Sequence, residues 1–129
     1  MTTPERKLME RVSALARPKE KVKPVDNRIP PKFTKQLEPF STKEGSCIEL
    51  LVEFTSTPAS EVFWYKDGLQ MESSVDFHIE STVNKSLLRI REGFKSDSGT
   101  YQVKLFNEVG TAQSKAYLTI IPGFYNYFD

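Results

Sequence analysis

The chain has 129 residues, 38% hydrophobic and 27% charged, with 18 basic and 17 acidic side chains. That is room for one domain with modest extensions, in a composition neither collagenous nor wholly disordered. A single cysteine excludes an internal disulfide, and one histidine leaves too little material for a zinc cluster or a histidine-based catalytic centre. No run of 18 apolar residues exists, so no membrane-spanning helix is expected, and the opening MTTPERKLMERV lacks the apolar stretch of a signal peptide.

Charge is unevenly divided. Residues 1–36 carry ten Lys and Arg against four acids, a net of +6, whereas residues 37–129 carry eight against thirteen, a net of −5. At the start, Thr3 can cap a helix, Pro4 suits its first position, and Glu5 lies where unpaired amides favour an anion. Leu8, Val12 and Leu15 then share a face, with Arg6, Lys7, Glu10 and Arg11 elsewhere. This pattern predicts a short amphipathic helix within 1–16, ended by Pro18. A helix that short is marginal alone, so it would order on a partner or on the domain; the alternative is a frayed basic tail. Residues 17–30, RPKEKVKPVDNRIP, place prolines at 18, 24 and 30 among lysines. Proline disfavours helix in the residue before it and like charges repel, so this stretch reads as an extended basic linker.

From Pro31 the hydrophobic period becomes two. Ile48, Leu50, Val52 and Phe54 alternate with Cys47, Glu49, Leu51 and Glu53, Leu51 being the exception to an otherwise polar outer set. Cys47 therefore points outward or lies at the sheet edge, either as an inert exposed thiol or packed as a small apolar side chain. Val62 and Trp64 form the next alternating pair, and Lys66-Asp67-Gly68 supplies a turn. Phe77 and Ile79, then Leu88 and Ile90, mark two more strands. Tyr101, Val103 and Leu105 share one parity, and Asn107–Gly110 makes a hairpin turn. The last strand puts Ala112, Ser114, Ala116, Leu118 and Ile120 inward and Thr111, Gln113, Lys115, Tyr117 and Thr119 outward. Strands with one core-facing side and regular turn signals, and no helical pattern between them, predict an all-β sandwich.

Three motifs sharpen this reading: Glu44-Gly45-Ser46, Trp64-Tyr65-Lys66-Asp67-Gly68 and Asp97-Ser98-Gly99-Thr100-Tyr101. With the entry Pro31-Lys32-Phe33-Thr34, residues 31–121 resemble an intermediate-set (I-set) immunoglobulin domain of the intracellular titin and twitchin type. The resemblance implies a Greek-key immunoglobulin sandwich in which Trp64 fills the space between sheets and Tyr101 forms a tyrosine corner. It also implies that Asp97 braces the loop before Tyr101, although the arginine that commonly pairs with it is missing from Ser74-Val75-Asp76-Phe77. The inter-sheet disulfide of the family would fall at Val52 and Val103, so two buried valines replace it. Loss of the bridge suits a cytoplasmic protein. Val52, Trp64, Leu88, Asp97, Tyr101 and Val103 are thus expected to be structural rather than catalytic.

No catalytic constellation accompanies this framework. His78, between Phe77 and Ile79, should face solvent. The chain has no GxxxxGK[ST] phosphate loop and no HExxH, and Asn84-Lys85-Ser86 matches a glycosylation sequon by chance. No enzyme activity, cofactor, metal, nucleic-acid or membrane partner is expected; the basic segment lacks the interleaved aromatics that stack on bases. Protein partners are expected instead, either another immunoglobulin domain or a sarcomeric or cytoskeletal filament protein, with homo-oligomers a further outcome. Candidate contacts are Leu8, Val12 and Leu15 in the helix, Tyr117 on the last strand, and the aromatic tail after residue 121 with Phe124, Tyr125, Tyr127 and Phe128. The resemblance implies a spacer and docking module of a sarcomeric or cytoskeletal scaffold. The alternative is a targeting or regulatory module of a cytoplasmic kinase or actin-binding protein, and an extracellular adhesion domain is the remote third.

Overall fold

Alternation of apolar and polar side chains becomes two stacked sheets. The computed structural model describes residues 25–123. Its strands are β1 (Ile29–Lys35), β2 (Phe40–Lys43), β3 (Ile48–Thr57), β4 (Glu61–Lys66), β5 (Leu69–Gln70), β6 (Phe77–Ser81), β7 (Lys85–Ile90), β8 (Gly99–Asn107) and β9 (Gly110–Ile121). A single 3-10 turn, Lys95–Asp97, joins β7 to β8. One sheet has the order β1-β3-β7-β6 and the other β2-β9-β8-β4-β5. All neighbours are antiparallel except β2 and β9, which run parallel with Phe40 opposite Leu118 and Lys43 opposite Ile121.

The inner faces meet in a core of Ile48, Leu50, Val52 and Phe54 from β3, Trp64 from β4, Leu88 and Ile90 from β7, Tyr101, Val103 and Leu105 from β8, and Leu118 and Ile120 from β9. The period of two read from these strands is therefore the period of burial. Val52 and Val103, one from each sheet, are fully buried, so at these two positions packing stands where a covalent bridge would cross. Burying a valine is worth about 1.5–3 kcal/mol, comparable to what a disulfide contributes at the low end.

The entry to the domain is less regular. β1 begins at Ile29, so Ile29 and Pro30, read from sequence as linker, lie in a strand. Pro30 and Pro31 sit on an edge strand whose pairing with β3 slips between Ile29 and Lys32. Proline has no amide hydrogen for a ladder, so an irregular edge is where it fits. The chain then leaves one sheet for the other at Leu37, which is buried and donates its amide to Ser114 Oγ at 3.0 Å. Cys47 is exposed, which leaves no room for the small-apolar packing role. It sits just before β3 with outward parity, away from the core.

Candidate interaction surface

Two buried polar contacts hold the centre. Trp64 Nε1 donates to Ser86 Oγ at 2.8 Å, and both side chains are all but inaccessible. Ser86 lies 2.8 Å from Ser81 Oγ and 3.4 Å from the Glu80 carbonyl, so its hydroxyl satisfies the indole and remains satisfied itself. Tyr101 donates its hydroxyl to the Asp97 carbonyl at 2.6 Å, tying β8 to the turn before it. Burial, reinforced by the negative charges of Asp97 and Asp67, pushes that hydroxyl well above the ordinary tyrosine range, so it remains a donor. The Asp97 carboxylate accepts from the Phe94 amide at 2.8 Å. In the absence of the arginine usual in the resembling family, the backbone of Phe94, the residue that caps the 3-10 turn, supplies the partner. Leu88 is fully buried opposite Leu50 in the β3–β7 ladder.

Asp67 has a left-handed backbone, φ 51°, in the β4–β5 turn. Its Oδ1 accepts from the Thr100 amide at 2.9 Å, and its own amide donates to the Thr100 carbonyl at 2.8 Å. The Thr100 amide first, then the ammonium of Lys66, holds the Asp67 carboxyl below its ordinary value. Glu44 secures the far end of the domain. Its amide donates to the Ile121 carbonyl, and its carboxylate accepts from the amides of Lys95 at 3.2 Å and Gly123 at 3.0 Å. Glu44 and Asp67, parts of motifs read from sequence, are thus fasteners between turns.

Nothing here assembles into a reaction centre. Among the described residues no group of His, Cys, Asp and Glu is placed to hold a metal, and no helix is long and apolar enough to cross a membrane. His78 is exposed and lies 3.3 Å from Glu80. The Asn84 side chain is used locally, accepting from Thr82 Oγ1 at 3.1 Å.

The candidate contact that falls among the described residues lies on the outer surface. Tyr117 is 53% exposed in the outward row of β9, with Thr111, Gln113, Lys115 and Thr119. Leu8, Val12, Leu15, Phe124, Tyr125, Tyr127 and Phe128 lie outside the described residues. The edges are β1 and β6 in one sheet and β2 and β5 in the other. Sequence reading passed over a second aromatic group. Phe63, Tyr65 and Phe106 are half-buried on the outer face of the five-stranded sheet and do not belong to the core. Phe63 and Phe106 meet edge to face, centroids 5.7 Å apart, and Lys104 Nζ lies 4.7 Å from the centre of the Tyr65 ring. The signal was present in the opposite parity of Phe63 and Tyr65 to Trp64, but only pairing with β8 brings Phe106 beside them.

The N-terminal approach reaches the same end of this sheet. Arg28 pairs with Asp26 at 2.9 Å and with Glu108 of the β8–β9 turn at 3.0 Å. Hydrogen bonding and charge from Arg28 lower the Asp26 carboxyl to about 2. Asn107 Nδ2 donates to the carbonyls of Ile29 and Pro58, and Pro30 packs against Gly110 closely enough to leave no room for a side chain there.

The profile of the immunoglobulin I-set domain matches residues 31–120. Smooth-muscle myosin light chain kinase of Gallus gallus is 34% identical over 90 residues, covering 70% of this chain and 5% of the kinase. Myopalladin of Mus musculus is 35% identical over 91 residues, covering 70% of this chain and 7% of myopalladin. The chain thus spans a small part of the curated relatives it matches. Among solved structures, the titin domains Z1Z2 in complex with telethonin share 36% identity and a TM-score of 0.73, over 76% of this chain and 50% of that one.

Proposed function

The chain belongs to the immunoglobulin I-set family, a non-catalytic module, and on that premise we propose that it is a spacer and docking unit of a sarcomeric or cytoskeletal scaffold in the cytoplasm. The observation that carries this reading is a sandwich closed by Val52 and Val103, without a disulfide, in a chain whose relatives include myopalladin and titin. A domain kept in a reducing compartment has no use for the bridge, and packing substitutes for it. The architecture suits a spacer. β1 and β9 carry the two ends of the domain, and the parallel β2–β9 ladder lies close to the exit of the chain, where Glu44 fastens Gly123. Tension applied through the termini would load those hydrogen bonds in shear.

Docking is assigned to exposed apolar groups. Tyr117 contributes from β9, and the segments holding Leu8, Val12, Leu15 and Phe124, Tyr125, Tyr127, Phe128 would contribute from either end. The partner is another immunoglobulin domain or a filament protein. Titin Z1Z2, 36% identical, was solved bound to telethonin, which supports a protein partner without identifying it. Similarity to a myosin light chain kinase also keeps the second reading in view, that of a targeting module attached to an enzyme. A fluorescent fusion of the full chain in cultured striated muscle cells tests the first reading. Periodic striations lost on Tyr117→Ala support it; diffuse fluorescence for the parent protein overturns it.

A further inference from the structure

We propose that the outer aromatic face of the five-stranded sheet is the seat of this chain's own Pro/Lys segment, residues 17–24. The platform is Phe63, Tyr65 and Phe106. Three half-buried aromatic rings on a face that makes no core contact are out of place on a solvated sheet, and Lys104 Nζ at 4.7 Å from the Tyr65 ring centre shows that this surface already receives an ammonium. Beside Phe106, a hollow of about 390 Å³ runs between β8 and β9, lined by Lys104, Thr111 and Gln113 among others.

Position selects the occupant. Traced backwards from β1, the chain leaves the four-stranded sheet at Ile29 and crosses to the β8–β9 turn, where Arg28 meets Glu108 and Pro30 packs on Gly110. It is therefore delivered to the end of the sheet that holds Phe106, Thr111 and Phe63. Residues 17–24 contain Pro18 and Pro24, six apart in the sequence, a spacing that would put both rings on one side if the bound segment were a polyproline II helix. Eight such residues span about 25 Å, and the strand from Phe106 to Gln102 rises about 13 Å, so the reach is ample. Proline rings on aromatic side chains are the recognition mode of polyproline segments. Charge at this end is mixed: Glu108 is already paired with Arg28 and Lys104 lies over Tyr65, so the exposed carboxylate of Glu61, opposite Phe106 in the ladder, is the group that one of Arg17, Lys19, Lys21 or Lys23 would meet. Seated there, the segment covers a surface that a partner could otherwise use.

The test is paramagnetic relaxation in the full chain, with a nitroxide on V22C in a C47S background. Signal loss is expected at the amides of Phe63, Lys104 and Phe106, with Leu51 and Leu87 on the opposite sheet retaining intensity. F63S/F106S, which leaves the core residues in place, should restore the lost signals; the unfolding midpoint falls because the edge-to-face pair is gone, and unchanged amide shifts at Leu51 and Leu87 show that the fold is kept. Uniform weak broadening, or loss centred on Leu51 and Leu87, overturns the proposal. So does loss that arises only between tagged and isotope-labelled molecules in a mixed sample, which would assign the face to a second copy.

Discussion

Replacing Ser86 with alanine tests whether the core depends on its one buried polar contact to tryptophan. In the native chain, Ser86 Oγ accepts from Trp64 Nε1 at 2.8 Å, with Trp64 1% exposed and Ser86 inaccessible. Alanine fills nearly the same volume, so packing changes little and the indole N–H is left buried without an acceptor. An orphaned buried donor costs about 1–3 kcal/mol, more than the net worth of the bond itself. Ser81, the other hydroxyl at 2.8 Å, is on the exposed side and can turn to water, so Ser81→Ala should cost only a few tenths of a kcal/mol. The assay is urea unfolding followed by fluorescence, since Trp64 is the sole tryptophan and reports its own site. With a slope of about 2 kcal/mol per M, a loss of about 2 kcal/mol moves the midpoint down by roughly 1 M. A Ser86→Ala midpoint within error of the parent at unchanged slope would refute the reasoning, as would a larger effect from Ser81→Ala.

Further outcomes follow from the same geometry. Tyr101→Phe removes the 2.6 Å bond to the Asp97 carbonyl and should cost about 0.5–1.5 kcal/mol in the same assay, without loss of strand signal by circular dichroism. Asp67 has a folded pKa below its ordinary 3.8, so its contribution is complete above that value and is lost as pH falls through the lower folded one. Urea midpoints measured from pH 6 downward should therefore decline less steeply at the acid end in Asp67→Asn than in the parent. The double substitution V52C/V103C should oxidise to an inter-sheet disulfide closing a loop of about fifty residues, with a loop-entropy gain of about 4 kcal/mol. A thiol titration that still finds both new cysteines reduced after oxidation would show that the two positions do not face one another.

Much of the site was legible because burial and β-period are the same signal. Trp64, Leu88, Tyr101 and Val103 sit in runs where every second residue is apolar, and the strands pack those residues inward. The partner of Asp97 could not be read, because it is the Phe94 backbone amide, and an amide leaves no mark on residue identity. The aromatic platform was hidden for a related reason. Phe63 and Tyr65 read as the solvent side of a short strand, and Phe106 lies over forty positions along the chain; only the β4–β8 ladder puts Glu61 opposite Phe106 and Phe63 opposite Lys104.

The amino-acid sequence by itself determined the fold class, the inward set of each long strand, the turns at Asp67-Gly68 and Asn107–Gly110, and a core without a disulfide. These are local properties: alternation, turn chemistry and residue count act within a few positions of the chain. Tertiary structure alone decided the parallel pairing of β2 with β9. Phe40-Ser41-Thr42-Lys43 has no alternating apolar pattern and becomes a strand because β9 offers an unpaired edge beside it. It also decided the crossing at Leu37, the acceptor for Trp64 and the docking of Arg28 on Glu108. Each joins residues distant in sequence, and the free energy of such contacts exists only after the sheets have brought their partners together.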